Sequence, residues 1–294
     1  MAKLGPKQIA EEILLTTSLN APPRPLGEVV LEVVMRLVDE RADTNDLSTR
    51  WHKPVRDYLQ AHWDESLDAG HQPRIGFNSS SDYMIQGACY VEPHIDSESV
   101  KEQKRQRLHW LDYYEALKNL SAREFEILCK RTLDLLGVGN AHLTRYTGDE
   151  GIDFFGRLSL GDLVGHGPLY PRLESSLEVW LLGQAKHYKK VKVATPDIRE
   201  LVGAVNLGRA HAFGASDESK YEELRIRVCD PVFMLFFTTG EISVDGWRLS
   251  RRSGVIAMDG EMLAAFLADK AVGVVKKRGK QSFSPARFRR WLHS

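Results

Sequence analysis

Cysteine is scarce in this chain: Cys89, Cys129 and Cys229 are the only three in 294 residues, they stand far apart, and no C-x-x-C pair occurs. An odd, scattered set excludes a disulfide framework and a zinc ribbon and predicts reduced thiols. Net charge of either sign is also missing, since 40 Lys and Arg balance 40 Asp and Glu. Any affinity for a polyanion must therefore reside in local patches rather than in a global field. No apolar run is long enough to cross a bilayer, and the opening Met1-Ala2-Lys3-Leu4-Gly5-Pro6 lacks the apolar core a secretion signal needs. A cytoplasmic protein without membrane contact is expected. What is left is a chain of ordinary globular composition, 43% hydrophobic, long enough for about two domains.

The chemistry concentrates in two short stretches, Gly148-Asp149-Glu150-Gly151-Ile152-Asp153-Phe154-Phe155 and Val179-Trp180-Leu181-Leu182-Gly183-Gln184-Ala185-Lys186. Both have the branched and aromatic content of strands, yet both carry polar side chains that a buried strand has no packing reason to hold. Alternation puts Gln184 and Lys186 on one face of their strand, about 7 Å apart. If the Asp153 strand pairs alongside, a carboxylate, an amide oxygen and an ammonium converge. Oxygen ligands suit a hard divalent cation, and a cation beside a Lys suits a scissile phosphate. A structural reading of Asp153, as an acceptor of backbone N–H groups, stays open.

The spacing Asp153…Gln184-Ala185-Lys186, with Phe125-Glu126 on a preceding helix and the Gly148–Gly151 turn, resembles the Mrr-like catalytic domain of restriction endonucleases, a QxK variant of the PD-(D/E)XK nucleases. Phe236-Phe237-Thr238-Thr239-Gly240 and Ile256-Ala257-Met258-Asp259-Gly260 resemble the later strands and turns of that family. The likeness covers roughly residues 120–270. It implies an α/β fold, a restriction-endonuclease-like mixed sheet flanked by helices. It also implies a Mg²⁺-dependent endodeoxyribonuclease of the type IV restriction kind acting in antiviral defence, with Mn²⁺ substituting for Mg²⁺. In that reading Asp153, Gln184 and Glu126 hold one or two ions and Lys186 offsets charge on the phosphate. The neutral amide of Gln184 gives Glu126 a purpose as a second carboxylate. The alternative for Glu126 is an ion pair with Lys130, four residues on. Two other readings remain: a repair or recombination nuclease of the same fold, and an inactive DNA- or protein-binding module.

Four segments follow: an N-terminal, mainly helical, winged-helix-like domain over 1–97, a connecting helix over 98–119, the nuclease domain over 120–272 and a basic tail over 273–294. Periodicity predicts helices from Gln8 to Leu15, from Leu26 to Arg41, and from Trp51 or Pro54 to about Leu67. A loop at Pro22–Pro25 and a hairpin around Asn78–Asp82 complete that domain. Lys53 and Arg56 on the third helix are placed to meet DNA phosphates or to form a solvated face. Lys189, Lys190 and Lys192 directly follow Lys186 and are expected to track neighbouring phosphates. In the second half, Phe125, Leu128, Cys129, Thr132, Leu135 and Leu136 form the predicted buried side of a helix opened by the Ser121–Glu124 capping box. Thr195 is the expected cap of the next helix, and Asn206–Asp230 a polar insertion. The basic tail, with Phe288 and Trp291 interleaved, would clamp DNA or pack on a partner subunit. A homodimer or larger assembly is expected, because a concerted double-strand cut needs two active sites.

Overall fold

The computed structural model describes residues 5–37, 43–144, 151–159, 178–188, 191–210, 224–277 and 280–294. Two compact units are present: Met1–Leu111 with Lys276–Ser282, and Asp112–Val275 with Phe283–Ser294.

The first unit holds helices α1 (Pro6–Thr16), α2 (Leu26–Leu37) and α3 (Thr44–Ala69), and strands β1 (Arg24–Pro25), β2 (Ile75–Asn78) and β3 (Ser81–Gly87). Ile9, Ile13, Val30, Val34, Val55, Leu59, Ile75 and Ile85 share one apolar cluster. The third helix starts earlier than Trp51. Asp43 caps it, its carboxylate accepting from the Asn45 and Asp46 amides at 3.1 Å each. Pro54 lies inside the helix, where it costs a backbone hydrogen bond; full burial of Val55 and Leu59, which follow it, holds the helix in place. The expected loop at Pro22–Pro25 also contains an edge strand, for Arg24 and Pro25 pair with Ile85 and Met84. An edge tolerates proline because one side of its ladder needs no donor. The connecting segment forms two helices instead of one, α4 (Glu98–Arg107) and α5 (Trp110–Lys118).

The second unit is built on a five-stranded mixed sheet of order β4-β5-β6-β7-β8, with β4 at His142–Leu143, β5 at Phe154–Ser159, β6 at Glu178–Lys186, β7 at Val232–Thr238 and β8 at Ile256–Met258. β4, β5 and β6 run antiparallel, and β7 and β8 join parallel to β6. Helices α6 (Ala122–Leu135), α7 (Thr195–Arg209), α8 (Val244–Ser253), α9 (Gly260–Asp269) and α10 (Pro285–Leu292) complete it. The strands β9 (Val274–Lys277) and β10 (Lys280–Phe283) precede α10 in the chain, and their stretch Lys276–Ser282 belongs to the first unit. This is the mixed α/β arrangement that the sequence resemblance implies.

Strand alternation divides the core. Trp180 and Leu182 of β6, Phe155 of β5 and Phe236 of β7 pack with Ile198, Leu201 and Val205 of α7. On the other side of the pleat Phe154 stacks on Phe237 with ring centroids 5.5 Å apart. Gly183 lies opposite Phe154 in the β5–β6 register, and a Cβ there would come within 2.0 Å of the Phe154 ring. Gly183→Ala is therefore expected to destabilise the fold by about 1–3 kcal/mol, the usual cost of overpacking a rigid core. Urea unfolding measures it.

Several local expectations change. Leu133 takes the inward place on α6 that Leu135 and Leu136 were expected to share, Leu136 being 40% exposed. Thr195 is the first residue of α7 and not its cap. Ala194 precedes it, and the Asp197 carboxylate accepts the Ala194 amide at 2.9 Å. The end of the supposed polar insertion is core: Leu224 and Ile226 are buried, and buried Asp230 accepts the Trp180 indole N–H at 3.2 Å. Asp230→Ala leaves that donor unpaired in an apolar site, and a loss of about 1–3 kcal/mol is expected in the same unfolding assay. Residues 211–223 of the insertion lie outside the described residues. In the C-terminal tail Phe288 and Leu292 are buried, and Phe288 contacts the rings of Tyr113 and Trp291. That aromatic serves packing within the chain.

Candidate active site

The site forms where β6 ends. Trp180 and Leu182 face α7, and Gln184 and Lys186 continue the same row toward the C-terminal end of the strand, so polar residues on α7 meet them. Glu200 does so. Its Oε1 accepts from Gln184 Nε2 at 2.6 Å and from Lys186 Nζ at 3.1 Å, and its Oε2 accepts from Lys186 at 3.3 Å. Gly151, at φ +72°, lies against this pair, since a Cβ on it would stand 3.5 Å from Gln184 Nε2 and 3.5 Å from Glu200 Cγ. Both the left-handed backbone and the close approach favour glycine at this position.

Asp153 enters from the neighbouring strand. It immediately precedes β5, its amide donates to the Gly183 carbonyl at 2.8 Å, and its Oδ2 accepts the Ala185 amide at 2.7 Å. Thr144, next to β4, donates its hydroxyl to the Ile152 carbonyl at 2.8 Å and its amide to the Asp153 carbonyl at 3.0 Å. Burial pushes the Asp153 carboxyl up to about 6, and the nearby Glu126 and Glu200 charges push the same way; the Ala185 N–H and the Lys186 ammonium oppose them without prevailing. For Lys186, burial works to lower the ammonium, and the bonded Glu200 carboxylate outweighs it, leaving the pKa above the ordinary lysine value.

Gln184 is 2% exposed, and its Oε1 is buried without a hydrogen-bond partner. Such an oxygen is costly unless something satisfies it. Because Nε2 is committed to a carboxylate, the amide cannot turn over to hide the oxygen. A desolvated carboxyl with two further acids near it and an orphaned amide oxygen beside it are suited to a hard cation with oxygen ligands. The residues present therefore fit a divalent metal. Among the described residues no group of three or more His, Cys, Asp and Glu side chains is clustered for metal binding; the candidate set consists of an acid and an amide, backed by Glu200.

Residues 117–213 match the family model of the Mrr catalytic domain, described as a restriction endonuclease. This segment is similar to the Mrr catalytic domain. No curated protein matches the chain. Among solved structures, the restriction endonuclease MspJI with a 27-mer oligonucleotide is 20% identical with a TM-score of 0.36, covering 62% of this chain and 36% of that one. The DNA modification-dependent restriction endonuclease AspBHI is 15% identical with a TM-score of 0.40, covering 74% and 46%. FokI bound to DNA is 10% identical with a TM-score of 0.33, covering 90% and 44%. The chain thus spans less than half the length of each of these proteins.

Within the matched segment, Asp153, Gln184 and Lys186 come together. Glu126, on α6, lies close enough to raise the Asp153 carboxyl, but its own carboxylate is paired with Arg123 at 2.6 Å, and Lys130 pairs with Asp134 instead. Glu200 was missed by sequence reasoning. The available signal was its place beside the apolar stripe of Ile198, Leu201 and Val205, on the first helix after Gln184-Ala185-Lys186. Asp149, Glu150, Lys189 and Lys190 lie outside the described residues. Lys192 pairs with Glu241 at 2.6 Å. In the N-terminal unit Lys53 is exposed, whereas Arg56 pairs with Asp82 at 3.0 Å and lies over the Tyr83 ring at 5.2 Å. The hydroxyl of Ser79 donates to Glu92 and that of Ser80 to Asn78, so the hairpin tip is partly satisfied from within. Among the described residues no helix is long and apolar enough to cross a membrane.

Proposed function

We propose that this chain is a Mg²⁺-dependent endodeoxyribonuclease that hydrolyses phosphodiester bonds of foreign DNA in restriction or antiviral defence. The observation that carries the reading is the unpartnered, buried Gln184 Oε1 beside a desolvated Asp153 and a carboxylate-held Lys186. Asp153 and Gln184 would hold the cation, with Glu126 adding charge from α6. When bound, a divalent cation supplies Lewis-acid activation of water and of the scissile phosphate. Lys186 is positioned to stabilise negative charge as it develops on phosphorus, and Glu200 fixes the direction of its ammonium.

Lys189, Lys190 and Lys192, together with Lys53 and Arg56 of the N-terminal unit, are proposed to follow the phosphate backbone, and the N-terminal unit to select the DNA. If about four phosphate contacts form, log affinity falls with log salt at a slope near about −3.6; filter binding across a salt series tests this. The active assembly is proposed to be a homodimer or larger, acting in the cytoplasm, and light scattering would show a monomer if this is wrong. Incubation of supercoiled plasmid, plain and base-modified, with Mg²⁺ or with EDTA tests the activity. Nicked and linear products are expected with Mg²⁺ or with Mn²⁺ in its place, and none with EDTA. Absence of any cut in either DNA would remove the proposal.

A further inference from the structure

We infer that Glu200 is a positioning residue of the cation site: through Gln184 it supplies the negative charge that the amide lacks, and it determines which end of that amide is left free as a ligand. This rests on reading the Asp153–Gln184 cluster as a cation site.

A glutamine side chain presents an oxygen at one end and a donor at the other. Without a partner the two are free to exchange by a half-turn about the last bond, and only one orientation offers a ligand oxygen. The Glu200 carboxylate removes that freedom, because it accepts Gln184 Nε2 at 2.6 Å, and the flipped amide would set oxygen against oxygen. The outcome is visible in the buried, unpartnered Gln184 Oε1. The same carboxylate lies one hydrogen bond from the ligand atom's own amide group, so it polarises the amide and returns negative charge to a site that has a neutral ligand. Its contact with Lys186 keeps the ammonium from swinging into the cation's place. Glu200 is 42% exposed on its helix, so its replacement is compatible with folding. Gly151, against which both side chains rest, leaves them room.

The test is calorimetric titration of the full chain with Ca²⁺ and with Mn²⁺, which reads the cation site without requiring cleavage. Glu200→Gln is expected to weaken binding by about 10- to 100-fold, the usual consequence of losing the partner that orients a ligand. Moving the charge onto the ligand itself, in Gln184→Glu combined with Glu200→Gln, is expected to restore affinity to within about threefold of the wild type. Melting curves of each variant in EDTA report folding. Wild-type affinity in Glu200→Gln would overturn the positioning role, and so would a loss that the double variant does not recover. A wild type that binds neither cation would remove the site reading and this inference with it. A wild type that binds cations in the expected pattern yet cuts no DNA would sink the nuclease proposal alone.

Discussion

Asp153→Asn is expected to stabilise the cation-free protein above neutral pH while abolishing cleavage. The native carboxyl sits at about 6 because it is buried and faces Glu126 and Glu200, whereas an unfolded Asp titrates near about 3.9. A native pKa raised above the unfolded one means that the folded state binds the proton more tightly. The associated stability is present below about pH 4 and is lost as pH rises through about 6. The gap of about two units corresponds to about 3 kcal/mol at most. Asparagine keeps an acceptor for the Ala185 amide and never ionises, so it escapes that loss. Urea unfolding in EDTA should show the variant ahead by about 1–3 kcal/mol at about pH 8 and level with wild type below about pH 4. Mg²⁺ should restore wild type and leave the variant unchanged. A variant less stable than wild type at about pH 8 would mean that Asp153 is a structural acceptor only. Cleavage by wild type should rise with pH toward neutrality, with a midpoint at or below about 6, since a cation favours the ionised carboxylate.

Lys186→Met should reduce the cleavage rate by about 10²–10³-fold while cation affinity changes little, because the ammonium acts on charge that develops at phosphorus rather than on the metal. Methionine preserves much of the side-chain length and removes the charge. The freed Glu200 carboxylate keeps its bond to Gln184, so the ligand oxygen stays aimed. Single-turnover cleavage alongside calorimetry separates the two effects. Equal losses in both would assign Lys186 to the structure of the site rather than to the reaction.

Much of this arrangement is legible in the sequence because strand alternation is a rigid rule. Placing Gln184 and Lys186 on one face follows from a period of two, and the same face carries Trp180 and Leu182, whose burial demands a helix above them. The Ser121–Glu124 capping box likewise forms, with the Ser121 amide donating to Glu124 at 2.8 Å. What escaped was long-range. Glu200 reads as one more exposed helix acid until the sheet brings Gln184 under it. Glu126 offers two possible partners at helical spacing, Arg123 and Lys130, and the structure pairs it with Arg123. Pro54 signals a helix start by local rules and is overridden by the packing of Val55 and Leu59. Asp230 shows the opposite error, a polar residue in a polar stretch that is buried to satisfy Trp180.

The central claim is that Asp153 and Gln184 hold a divalent cation beside Lys186. Anomalous scattering from crystals of the full chain soaked in Mn²⁺ addresses it most directly. The account predicts a peak within about 2.0–2.5 Å of an Asp153 carboxylate oxygen and of Gln184 Oε1, with Glu200 still bonded to the amide nitrogen. A Mn²⁺ peak elsewhere in the chain, or none at Gln184 Oε1, would contradict it.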